Sequence, residues 1–155
     1  MSSPAAGSAQ IPTSRFVLEN GRWLAAGFLL ALASSFGQTF FIALSAEPIR
    51  TDFGLTHGEF GMIYMIGTLT SALALIQFGK LVDFYSARVL ALVILAALAL
   101  VCLGMATASH SWMLFVLIFG LRFCGQGMLS HIAMTAMARW FSASRGRALA
   151  IAALG

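Results

Sequence analysis

The chain has 155 residues, of which 60% are apolar and only 9% charged, and its mean hydropathy is +0.93. Soluble domains average about 45–50% apolar and about 25% charged residues, so these values exclude a water-coated globule, and they exclude a charge-rich disordered chain too. The net charge of +4 fits the Lys/Arg excess of cytoplasmic loops in an integral membrane protein rather than a nucleic-acid surface.

In chain order, residues 1–22 are small and polar and read as a flexible cytosolic tail. Trp23 to Leu44 is a charge-free run of 22 residues, enough to cross a hydrocarbon core of about 30 Å as a helix. It exceeds the h-region of a signal peptide, about 7–15 residues, so it reads as a retained span. Glu47 to Asp52 forms a charged turn marked by Pro48. A second apolar run covers residues 60–78, and a short polar link from Gly79 to Arg88 follows it. The third span covers about 89–108, and its stretch Val89–Ala106 is the most uniformly aliphatic part of the chain. Ser109-His110-Ser111 reads as a tight turn. The fourth run, Trp112 to Ala138, is interrupted by Arg122, Gln126 and His131. After a basic link, Ala148–Gly155 begins a fifth apolar run of eight residues, too short to span. Backbone groups in lipid must bond within their own segment, so each run is expected to be a helix. The expected fold is an all-α transmembrane helix bundle with four complete spans and the start of a fifth. The chain is therefore expected to be the N-terminal part of a longer protein.

Eight of the nine Lys/Arg sort by side, and the ninth, Arg122, lies inside the membrane. Arg15, Arg22, Lys80, Arg88, Arg139, Arg145 and Arg147 fall in alternate segments. The opposite side has only Arg50, beside Glu47, Asp52 and Glu59. This asymmetry places the N-terminus in the cytoplasm; the plasma membrane is the expected location. Trp23, Trp112 and Trp140 lie at span ends, where interfacial indoles belong.

Arg122 is the most informative residue. It lies ten residues after Trp112, about 15 Å into the membrane, where an unpaired charge costs about 2.5–3.5 kcal/mol on insertion scales. It either bonds carbonyls or an acid on another helix, or lines a translocation path, and the second reading is preferred. Gln126 and Ser130 can share its polar stripe. His131 is either a proton relay or, more commonly for a membrane histidine, a hydrogen-bonded packing residue. Gln38 is the polar anchor of the first span, serving either a small-residue helix interface or a solute-facing site. Tyr64, Thr68 and Ser71 follow helical spacing on the second span, for which packing is the favoured reading.

No Asp or Glu lies inside the four spans. Coupling to protons therefore requires an acid outside this stretch, or His131 in its place. A lone buried cation suits an anionic solute. Cys102 and Cys124 read as small hydrophobes, and no catalytic, metal or cofactor pattern occurs. An enzyme is the poorest reading.

The link Gly79-Lys80-Leu81-Val82-Asp83-Phe84-Tyr85-Ser86-Ala87-Arg88 resembles the G-x-L-x-D-R-x-G-R-R signature between helices two and three of the major facilitator superfamily. Gly79, Leu81, Asp83 and Arg88 match, while Phe84, Ser86 and Ala87 depart. Arg122 followed by Gln126-Gly127 is similar to the family's fourth helix. Trp140-Phe141 with Arg145-Gly146-Arg147-Ala148 is similar to its entry to helix five, and Glu47 to Leu55 to its first external loop. The resemblance implies about twelve helices in two halves, a central site and alternating access. It also implies a gating role for Gly79, Asp83 and Arg88, a peripheral third helix, and partner helices of the same protein C-terminal to this stretch. The expectation is transport of a small solute, with an organic anion as the favoured class. Arg122, Gln126, Gln38, His131 and Tyr64 are its candidate pathway residues. The alternative is a small four-span membrane scaffold or channel subunit that self-associates. The lipid bilayer is the expected surround, and nucleic acid is not an expected partner.

Overall fold

The computed structural model describes residues 12–155. Four of its helices are long and apolar enough to cross a membrane: Thr13–Gly37, His57–Phe84, Ala87–Ala106 and Ser111–Trp140. No strand occurs among the described residues, and the protein is a multi-pass membrane helix bundle.

α1 (Thr13–Ser34) begins inside the stretch expected to be a flexible tail. Residues 1–11 of that tail lie outside the described residues, but residues 13–22 are helical. The cause is local and tertiary. Arg15 Nε donates to Glu19 Oε1 at 2.7 Å across one turn, a spacing that supports helix. Phe16 is buried, edge-to-face with Phe141 at 5.4 Å between ring centroids.

The expected continuous span 23–44 is also broken. A 3₁₀ turn at Ser35–Gly37 ends α1. Gln38 is extended (φ −73°, ψ 152°), and the short α2 (Thr39–Leu44) resumes beyond it. The charged turn expected at 47–52 is itself a helix, α3 (Ala46–Phe53). Pro48 sits in its first turn, where a missing N–H leaves no helical bond unmade. Gly54 at φ 62° closes α3 in the left-handed conformation that glycine adopts without strain.

α4 (His57–Phe78) opens with a capping box. Thr56 Oγ1 accepts from the Glu59 N–H at 3.2 Å, and the Glu59 carboxylate accepts from the Thr56 N–H at 2.8 Å. α5 (Leu81–Phe84) is a single turn in the link, and Ser86 caps α6 (Ala87–Ala106). α7 (Ser111–Gly120) runs straight into a π-helical segment, Leu121–Leu129, and then α8 (Ser130–Trp140). α9 (Arg145–Ala152) follows a 3₁₀ turn.

The fourth span is the axis of the bundle. Half of its apolar window (50%) is buried, against 22%, 17% and 22% in spans one to three. Leu114, Ile118, Met128, Leu129, Ile132 and Met137, the largest fully buried side chains, all belong to it. α7 packs on α4 and α6, while α8 packs on α1 and α9. α6 buries one stripe (Leu90, Ala91, Ile94 and Leu98) and leaves Leu92, Val93, Leu100 and Leu103 exposed. Its bare outer face suits lipid chains.

Candidate functional site

The break in the first span and the π segment of the fourth meet each other. Gly37 and Gly125 allow this. A Cβ on Gly125 would lie 2.7 Å from Gly37 N and 2.8 Å from Gly37 Cα. Backbone therefore touches backbone at this crossing, which only paired glycines permit.

The crossing positions Arg122. Its Nη1 donates to the Gly37 carbonyl at 3.1 Å and to Thr39 Oγ1 at 3.2 Å. The 3₁₀ turn is what frees the Gly37 carbonyl, because the chain leaves the helix before a fourth-following N–H can claim it. Tyr64 Oη donates to the same Thr39 hydroxyl at 3.1 Å. The Tyr64 ring centroid lies 5.6 Å from the guanidinium carbon, within cation–π range. The structure thus joins Arg122 and Tyr64 through Thr39, a residue that sequence reasoning passed over. Thr39 is one hydroxyl in an apolar run, and only its neighbour Gln38 drew notice as polar.

On the other side of Arg122 is a cavity of about 140 Å³ between α4 and the π segment. It is lined by Thr68, Ser71, Ala72, Leu75, Arg122, Gln126 and Gly127. Three buried polar atoms of these side chains have no hydrogen-bond partner among the described residues: Arg122 Nε, Gln126 Oε1 and Thr68 Oγ1. Buried polar groups are rarely left so. The ion pairs of the described residues are Arg15–Glu19, Arg50–Glu47 and Arg139–Asp83, so the cavity holds a cation without a protein carboxylate.

Gln126 thus sits with Arg122. Ser130, expected on the same stripe, does not line the cavity, because π winding turns the chain less per residue than an α-helix and shifts the face. Gln38 is the hinge residue of the broken first span and does not line the cavity either. His131 is exposed on α8. Its Nε2 lies 3.8 Å from where a Cβ on Gly79 would be, so it belongs with the 79–88 link and not with Arg122.

In that link, Asp83 Oδ1 accepts from Arg139 Nη2, and Arg139 Nη1 donates to the Val82 carbonyl at 2.9 Å. One guanidinium at the end of the fourth span therefore clasps the link. Sequence reasoning counted Arg139 only as a topogenic charge. Arg88 turns away from Asp83 and lies 5.2 Å from the Trp23 ring centroid. Gly79 has ordinary right-handed helical angles (φ −57°, ψ −29°).

The Asp83 and Arg139 side chains are 63% and 52% exposed, so the pair is worth at most about 1 kcal/mol. Replacing Asp83 with alanine is expected to leave the unfolding midpoint nearly unchanged. Amide hydrogen exchange across 80–86 should instead accelerate as the clasp loosens. Unaltered exchange there would show that the link is held by packing alone.

Compared with known proteins, residues 26–155 match the family model described as Major Facilitator Superfamily. No curated protein and no solved structure matches the chain.

Proposed function

The chain belongs to the major facilitator superfamily, whose members transport small solutes across membranes, and on that premise we propose that it carries the anion-reading wall of a secondary or facilitative carrier. Arg122, Gln126 and Thr68 face the solute, and Tyr64 and Thr39 hold Arg122 in place. The observation that carries this reading is the set of orphaned atoms at the cavity: a guanidinium Nε donor, an amide acceptor and a hydroxyl, buried with no protein partner. A small carboxylate fits the donor, and its charge offsets that of Arg122. A carboxylate also removes the need for a membrane-embedded acid, which this stretch lacks.

In this reading the chain forms part of the first half of a twelve-helix carrier, and the opposing wall comes from helices outside the stretch. The clasp between Asp83 and Arg139 steadies one gating state. The split of basic residues supports a cytoplasmic N-terminus. His131 and Gln38 stand outside the cavity and act, in this reading, on gating and hinge motion. Proton coupling, in this reading, requires an acid outside this stretch or His131 in its place.

The test is uptake into vesicles bearing the intact carrier. Labelled small carboxylates should enter and compete with one another, while neutral and cationic analogues of the same size should neither enter nor compete. Uptake of cations with no inhibition by carboxylates would overturn the reading.

A further inference from the structure

At the other end of the bundle from Trp112, away from the cavity, three features that favour an anion converge. The first is a pair of guanidinium groups on one indole. Arg22 Cζ lies 4.8 Å and Arg88 Cζ 5.2 Å from the Trp23 ring centroid. Neither is in an ion pair among the described residues. Two like charges gathered on one ring repel each other unless an anion joins them.

The second feature is the start of α6. This helix has 20 residues; Ser86 Oγ caps the Val89 N–H, and the Ala87 and Arg88 N–H groups beside it lie at the positive end of the helix dipole. Ser86, Ala87 and Arg88, which form that start, line a pocket of about 330 Å³, mixed apolar and polar, together with Trp23, Arg139 and Trp140. Arg139 is already engaged by Asp83, so the uncompensated charge of the lining is that of Arg88, with Arg22 nearby on the Trp23 indole.

The third feature is continuity. Ala87, Arg88 and Trp140 also line an apolar groove of about 350 Å³ that runs between α1 and α6 past Leu30 and Leu95. A pocket carrying the Arg88 charge and continuous with an apolar groove, beside the interfacial Trp23 and Trp140, matches a headgroup above an acyl chain.

We propose that this site binds one anionic phospholipid of the leaflet facing the basic loops. Its phosphate would lie at Arg22, Arg88 and the α6 N-terminus, and one chain would lie along the groove. Binding there would add the lipid to the Arg88–Trp23 contact that already joins α6 to α1. The site is separate from the Arg122 cavity and does not depend on what that cavity carries.

The tryptophans make the site testable. In the intact carrier, with Trp112→Phe and any tryptophan outside this stretch replaced in the same way, Trp23 and Trp140 are the fluorophores. This carrier is placed in bilayers of phosphatidylcholine containing bromine-labelled phosphatidylglycerol, and separately in bilayers containing bromine-labelled phosphatidylcholine at the same fraction. Each basic side chain near a membrane surface contributes about 1 kcal/mol toward anionic lipid. Two should give about a tenfold to thirtyfold preference for quenching by the anionic lipid. Arg22→Gln with Arg88→Gln should abolish that preference. Both residues are exposed, so the helix content, checked by circular dichroism, should not change. Equal quenching by the two lipids would overturn the proposal and would mean that lipid reaches the tryptophans without regard to headgroup charge. A preference that survives the double substitution would overturn it as well.

Discussion

Replacing Arg122 with alanine is expected to lower the transport efficiency of the intact carrier by about tenfold to a hundredfold. The arithmetic rests on hydrogen bonds to charged groups, worth about 1.5–3 kcal/mol each, with about 1.4 kcal/mol per factor of ten. The variant also frees the Gly37 carbonyl and the Thr39 hydroxyl, which Arg122 Nη1 now serves. Some of the loss will therefore appear as altered expression or folding, so surface abundance must be measured alongside uptake. Arg122→Lys separates the two effects. An ammonium keeps the charge but lacks the planar fork, so it cannot bond Gly37 and Thr39 while presenting a donor to the cavity. Lysine should retain abundance and still lose affinity. A lysine variant with native affinity would show that only the charge of Arg122 matters, and native uptake by the alanine variant would end the pathway assignment.

The largest effect on the bundle itself is expected from Gly125→Ala. The added methyl would meet Gly37 N at 2.7 Å, Gly37 Cα at 2.8 Å and the Ser34 carbonyl at 3.2 Å. All three are backbone atoms, which have no rotamer to yield. Overpacking of this kind costs about 1–3 kcal/mol. Here it also pushes the first span from the fourth and strains the bond from Arg122 to Gly37. Gly67→Ala is the comparison. Its methyl would lie 3.1 Å from Ile118 Cγ2, a side-chain atom that can shift, so a smaller loss is expected. Unfolding in denaturing detergent, followed by circular dichroism, should rank the native chain above Gly67→Ala and Gly67→Ala above Gly125→Ala. Equal midpoints for all three would show that the glycine crossing is slack.

Much of this bundle is legible in the residues because lipid leaves so few options. Charge-free runs must be helices, and a lone Arg122 among them must have a reason. Gln126 follows from Arg122 by helical spacing, and the need of Asp83 for a cation follows from its charge. What stays hidden depends on contacts far apart in sequence. The break at Ser35–Gly37 has neither proline nor charge to announce it. It exists because Gly37 meets Gly125 and offers its carbonyl to Arg122, 85 positions away. Phe16 looks like one aromatic in a polar tail until Phe141 is beside it. The π winding of Leu121–Leu129 leaves at most a hint in Gly125 and Gly127, and it is what removes Ser130 from the face that Arg122 shares with Gln126. Arg139 is one of several basic residues near the membrane surface, and nothing in its neighbours singles it out as the clasp.

The placement of the core on the fourth helix has a consequence for biogenesis. As the chain emerges from the ribosome, the first three helices enter lipid with little to hold them together, because most of their partners are on a segment not yet made. They must persist as separate rods until that segment arrives. It also brings the one guanidinium that the insertion machinery would resist. By then the Gly37 carbonyl, Thr39 and Tyr64 are already in the bilayer to receive it. The order of synthesis thus delivers the acceptors before the charge, and a rearranged gene that translated the fourth helix first should misinsert and be degraded.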